Sequence, residues 1–243
     1  MWSVNFKKRA KLNNALLIEG LPGIGNVAKI AVEFLAEKFK AVPLASFVSK
    51  ELNHVVFVTE DNLVASPSIN MYYAKLPKRD VVLVTGDLQP FDPQSNLALG
   101  EAIVKAFKQM NGSAVVTLGG LATRNVSRMP KVYCTGNNKK LVKEFMIEGV
   151  SDKLYGVVGP IVGISGVLLG VASSYSIPAV TLLAETHANP LMLGSASAKQ
   201  LVDVLSKKLG VKVNSEQLAK EISQQKAVKK PKFKQDYDAS YIG

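Results

Sequence analysis

The 243 residues include 30 lysines and arginines against 19 aspartates and glutamates, a net charge of +11, with a single cysteine. One cysteine excludes an internal disulfide and fits a reducing compartment, and a chain of this length can bury one large core. The basic excess gathers near the two ends, at residues 7–11 and among Lys226, Lys229, Lys230, Lys232 and Lys234, so no nucleic-acid-binding stripe across the body is expected.

Residues 1–14 read as a basic arm with no apolar run of a secretory leader behind it. Ala15–Glu19 is a short apolar run. It feeds the glycine-rich turn Gly20-Leu-Pro-Gly23-Ile-Gly25 and then an amphipathic helix with Ile30, Ala31, Phe34 and Leu35 at helical spacing. Strand, tight turn and helix make the opening half of a βαβ unit. Val42–Val48 and His54–Val58 read as strands around a turn at Ser49–Asn53, and Leu63–Ala65 as a short strand. Pro67–Pro77 reads as a loop or irregular helix. Asp80–Thr85 is a buried strand that ends in Gly86-Asp87-Leu88-Gln89-Pro90. Asp92 as N-cap and Pro93 at the first helical position then start a helix to about Met110, stopped by Asn111-Gly112.

Ser113–Leu118 is the next buried strand, ending in Gly119-Gly120. A loop over Arg124–Pro130, a short strand at Lys131–Cys134 and a helix over Lys139–Glu148 follow. From Val157 to Ala184 no residue is charged, a length that could span a bilayer. Pro160, Pro178 and the glycines between them interrupt it, so it reads as a buried helix, Ser165–Tyr175, and a buried strand, Ile177–Ala184, ending at Glu185-Thr186-His187. No membrane is expected as partner. Gly166 and Gly170 form a small-xxx-small pair suited to close helix packing. Helices over Ser197–Leu209 and Ser215–Gln225 complete a single α/β domain, 15–226, and residues 227–243 form a lysine-rich tail.

Buried strands alternating with helices imply a mostly parallel sheet covered on both faces, with an antiparallel patch between Ala41 and Leu76. In such sheets ligands bind beyond the carboxyl ends of the strands. That rim would carry Gly23, Gly25, Asp87, Gln89, Gly119, Gly120, Glu185 and His187. Glycine amides could hold an anion there, and the carboxylates with His187 could do acid–base work. The same residue types also serve tight strand-to-helix turns with no ligand at all.

Named chemistries fit less well. Gly23-x-Gly25-x-x-Ala28 matches a dinucleotide fingerprint, but the acid that should follow about twenty residues later is missing. No serine stands in a G-x-S-x-G elbow, and Gly163-Ile-Ser165-Gly166 falls one residue short of that frame. Cys134 has no neighbouring histidine, His54 reads as a structural residue at a strand start, and no metal-ligand spacing occurs. No catalytic residue, metal or cofactor is therefore assigned. The end of the chain needs its own reason. An aromatic and an aliphatic, Tyr241-Ile242-Gly243, close a solvated lysine-rich segment, which suits a docking peptide.

Five stretches in this order, Gly20-Leu-Pro-Gly-Ile-Gly25, Thr85-Gly-Asp-Leu-Gln-Pro90, Leu118-Gly-Gly120, Gly163-Ile-Ser-Gly-Val-Leu-Leu-Gly170 and Glu185-Thr186, resemble the archaeal branch of the proteasome assembly chaperone two family. The resemblance spans about Ala15 to Gln225. It implies a three-layer α/β/α sandwich, like that of nucleoside phosphorylases and peptidyl hydrolases, without a known catalytic centre. It implies self-association in the cytoplasm and, for some members, C-terminal tails that insert between proteasome core α-subunits. The activator-type tail has tyrosine penultimate, whereas here Tyr241 is third from the end and Ile242 penultimate. Tyr241, Ile242 and Gly243 would then be the anchor, with Lys230, Lys232 and Lys234 steering towards an acidic ring. The combined expectation is a non-enzymatic chaperone or adaptor that binds the α-ring through its tail. The alternative is an enzyme acting on a nucleoside-like or phosphorylated small molecule at the rim, using Asp87, Glu185 and His187.

Overall fold

Leu16 and Ile18 enter one hydrophobic core while Ala15 and Leu17 enter another, and Val81 and Leu83 alternate with Val82 and Val84 in the same way. That is the period-two signature of strands buried on both faces. The computed structural model describes residues 2–8, 10–52, 55–154, 159–188 and 193–218. His54, Lys230, Lys232, Lys234, Tyr241, Ile242, Gly243 and most of the helix expected over Ser215–Gln225 lie outside the described residues.

The strands are β1 (Ser3–Phe6), β2 (Ala15–Glu19), β3 (Val42–Val48), β4 (Phe57–Val58), β5 (Val64–Ala65), β6 (Ile69–Lys75), β7 (Asp80–Gly86), β8 (Gly112–Thr123), β9 (Val132–Gly136), β10 (Val150–Ser151) and β11 (Ala179–His187). The helices are α1 (Val27–Lys38), α2 (Pro93–Gln109), α3 (Lys139–Phe145), α4 (Ile164–Ser174) and α5 (Ser195–Leu209). One mixed sheet runs in the order β1-β3-β6-β7-β2-β8-β11-β9-β10, and β4 and β5 pair separately as a hairpin. Its centre, β7-β2-β8-β11, is parallel. Antiparallel pairings flank it, through β6 and β3 to β1 on one side and to β9 on the other.

Helices α1, α3 and α5 cover one face around Phe34, Leu35, Phe145 and Leu201. Helices α2 and α4 cover the other around Leu99, Phe107, Ile164 and Leu168. The result is a three-layer α/β/α sandwich. Helix α2 starts as expected: Asp92 Oδ1 accepts the Ser95 N–H at 2.8 Å, with Pro93 next in the chain. Helices α2 and α4 approach closely at Gly100, where a Cβ would lie 2.8 Å from Val167. At Gly170 a Cβ would meet nothing within 4 Å, so the expected Gly166/Gly170 pair is not the contact point.

Several stretches differ from the sequence reading, among them the end of α3 at Phe145 and the unexpected strand β10. Ser3–Phe6, within the residues read as a basic arm, is an edge strand on β3, and Trp2 donates its indole N–H to the Ser95 carbonyl at 3.1 Å. Ile69–Lys75, read as loop or irregular helix, is β6. Ile69, Tyr72 and Tyr73 suit a pleated surface, but flanking prolines, Asn70 and the break in alternation at Tyr72-Tyr73 hide the strand. Strands β8 and β11 run past their expected ends and pair in register as far as His187 and Thr123. Gly119, Gly120, Glu185 and His187 are therefore inside strands and not in turns beyond them. Among the described residues no helix is long and apolar enough to cross a membrane. The described part of the uncharged stretch contains α4 and the first residues of β11.

Candidate functional site

Parallel strands point their carboxyl ends the same way, so β2, β7, β8 and β11 deliver their following turns to one rim. After Glu19 the chain turns through Gly20–Gly23 into a 3₁₀ turn, Ile24–Asn26, and then α1. Gly25 has φ +64°, the left-handed region that suits glycine. Its carbonyl accepts the Gly194 N–H at 2.8 Å, and a Cβ would meet Thr186 Oγ1 at 2.8 Å. Gly23 is extended, at φ −159°, with open space where a side chain would be.

The expected rim residues divide into two groups. Gly23, Gln89, Gly119 and Gly120 line a cleft of about 1000 Å³ between the glycine-rich turn, the turn after β7 and the start of α4. Gln89 braces its wall. The amide nitrogen donates to the Pro22 carbonyl at 2.8 Å, and the amide oxygen accepts the Ile164 N–H at 3.0 Å.

Asp87, Glu185 and His187, with Gly25, do not line the cleft. Asp87 accepts the Ser68 N–H at 2.8 Å and the Ser68 hydroxyl at 2.9 Å, with Lys29 Nζ 4.0 Å away. Glu185 accepts the Tyr133 hydroxyl at 2.9 Å and the Lys131 N–H at 3.2 Å. Strands β7 and β11 stand three inter-strand spacings apart in the sheet, about 14 Å. The two carboxylates are thus separately engaged and do not form an acid–base pair.

Behind Ser165 of the cleft wall, and not itself lining the cleft, lies the carboxyl group of Glu19, which is fully buried. Its Oε1 accepts the Leu21 N–H at 2.8 Å, and its Oε2 accepts the Ser165 hydroxyl at 3.1 Å. Burial pushes this carboxyl up to about 7, against the lowering effect of those two hydrogen bonds. Ser165 Oγ also lies 3.0 Å from the Leu118 carbonyl, and Ser165 lines the cleft. Sequence reading placed Glu19 at the end of an apolar run and assigned it no role. A lone acid closing an otherwise wholly apolar strand was the available signal.

Cys134 is buried, and burial pushes its thiol up to about 12, which disfavours the reactive thiolate. Among the described residues no three His, Cys, Asp or Glu side chains are grouped so as to hold a metal ion.

The sequence profile of the PAC2 family matches residues 17–230. The uncharacterized protein MJ1210 of Methanocaldococcus jannaschii is 31% identical over 209 residues, which cover 86% of this chain and 79% of that protein. Among solved structures, Pyrococcus furiosus PbaB, described as an archaeal proteasome activator, superposes with a TM-score of 0.83 at 25% identity, over 93% of this chain and 96% of that one. The monoclinic form of Pyrococcus furiosus PbaA, described as an archaeal homolog of proteasome-assembly chaperone, superposes with a TM-score of 0.72 at 26% identity, over 93% and 89%.

Proposed function

The chain belongs to the PAC2 family, and on that premise we propose that it is a non-enzymatic chaperone or adaptor of the proteasome core particle. The observation that carries this reading is the near end-to-end likeness to PbaB, a proteasome activator, at a TM-score of 0.83. The rim supports it as well. Asp87 and Glu185 are bound to their own neighbours, and the cleft is lined mainly by apolar side chains with no charged one among the described residues.

Docking runs through the tail. Lys230, Lys232 and Lys234 supply long-range attraction to an acidic ring of core α-subunits, and Tyr241, Ile242 and Gly243 supply the anchor. So short a peptide binds weakly alone, and an assembly presenting several tails to one ring gains by effective concentration. The protein therefore acts as a cytoplasmic homo-oligomer. The exposed β4–β5 hairpin, with Val58 71% and Val64 70% exposed, supports self-association.

Deleting Tyr241–Gly243 is expected to abolish retention of the proteasome core particle in a pull-down and leave the circular dichroism spectrum unchanged. Full retention by the truncated protein would remove the tail from the mechanism.

A further inference from the structure

We propose that the cleft between the glycine-rich turn, the turn after β7 and the start of α4 binds a neutral, mainly apolar small molecule that presents an amide-type group to Ser165. The cleft lies outside the tail-docking reading and stands or fails without it.

Size and lining set the ligand class. About 1000 Å³ is the upper end of ordinary small-molecule sites. Leu21, Leu88, Leu118, Ile161 and Leu183 are among the side chains that line it, and Ile24, Phe91 and Val162 stand exposed at 47%, 78% and 84%. No Lys, Arg, His, Asp or Glu lines it among the described residues. A phosphorylated or strongly charged ligand would find no counter-charge there. A cation would in addition face the positive end of α4. A neutral polar group escapes both penalties.

Hydrogen-bond bookkeeping then selects the group. Ser165 has one hydroxyl hydrogen and two acceptors for it, Glu19 Oε2 at 3.1 Å and the Leu118 carbonyl at 3.0 Å. If Glu19 is ionised, the hydroxyl donates to it. If Glu19 is protonated, the hydroxyl accepts from it and donates to Leu118. In both states the oxygen keeps a lone pair for a ligand donor. Asn96, also in the cleft wall and only 6% exposed, has an amide oxygen with no hydrogen-bond partner among the described residues. That oxygen is itself sealed from the cleft, so it takes no part in holding a ligand and Ser165 supplies the acceptor. Gln89 uses one amide hydrogen on Pro22 and keeps the other for a ligand carbonyl. An acceptor on Ser165 and a donor on Gln89, set in an apolar cleft, match the N–H and C=O of an amide.

The test uses three aromatic probes of equal bulk and ligand-observed NMR titration of the full chain. 1-Naphthamide carries both C=O and N–H, methyl 1-naphthoate lacks the donor, and 1-naphthoate is an anion. The amide is expected to bind one saturable site about fivefold tighter than the ester, as one hydrogen bond implies, and tighter than the anion. Ser165→Ala should close the gap between amide and ester. Gly23→Trp, which fills open space at the cleft wall without a backbone clash, should abolish binding of all three. Equal affinity for amide and ester, tightest binding of the anion, or unchanged binding in Gly23→Trp would each overturn the proposal. So would an extended apolar peptide that displaces the probes and binds more tightly than any of them. The probe comparison on the unsubstituted protein decides even if a variant misfolds.

Discussion

Glu19 holds a carboxyl group at zero exposure, in a strand position where a leucine or valine would have been cheaper. Its folded carboxyl is pushed up to about 7 from an ordinary 4.5. Between those values the folded chain keeps a proton that the unfolded chain has released, so stability falls as pH rises through this window. The advantage of the neutral form is full below the unfolded value and is gone above about 7, a span worth roughly 3 kcal/mol. Denaturant unfolding at about pH 5 and about pH 8 should show this decline. Glu19→Gln should flatten it and be the more stable protein at the higher pH. An unchanged slope in the variant would assign the decline to other groups. The residue-level chemistry was only partly legible in sequence. Gln89 and Gly23 were placed at the rim and line the cleft. Asp87 and Glu185 looked equally apt but are held by Ser68 and Tyr133, contacts that carry no local sequence signal.

At the scale of elements, the glycine-rich turn rests directly on β8. A Cβ at Gly120 would lie 2.3 Å from the Ile24 carbonyl and 2.8 Å from Thr186. One at Gly119 would meet only the Leu183 side chain, at 2.8 Å. Backbone cannot swing aside as a leucine methyl can. Gly120→Ala is therefore expected to destabilise by about 1–3 kcal/mol, and Gly119→Ala by less, as read by urea unfolding. Equal costs would mean that the turn is not seated on β8 as tightly as this packing requires. Elements with strong local signals were readable: the apolar runs of β2 and β7, and α2 with its Asp92 cap and Pro93 start. Strand β6 was not, because Pro67 and Pro77 on either side outweigh the β-favouring Ile69, Tyr72 and Tyr73. The continuation of β8 and β11 through Gly119-Gly120 and Glu185–His187 was hidden too, since mutual pairing and not propensity keeps those residues extended.

For the whole molecule, the self-association proposed above is tested at the β4–β5 hairpin. Val58 and Val64 face each other across it and are both about seven-tenths exposed, an apolar pair that a solvated loop does not need. The double substitution Val58→Lys and Val64→Lys should lower the mass measured by light scattering towards that of a single chain. An unchanged mass would remove the hairpin from the proposed self-association. The sequence alone determined the α/β class, the helices on both faces and the grouping of turns at one rim, because strand and helix periodicities and caps are local properties. Only the tertiary structure decided the strand order, which separates Asp87 from Glu185. It also joined Glu19 to a serine 146 residues away in the cleft wall. Such partners are chosen by which strands lie side by side, and that choice depends on packing across the entire core, which no single stretch of chain encodes.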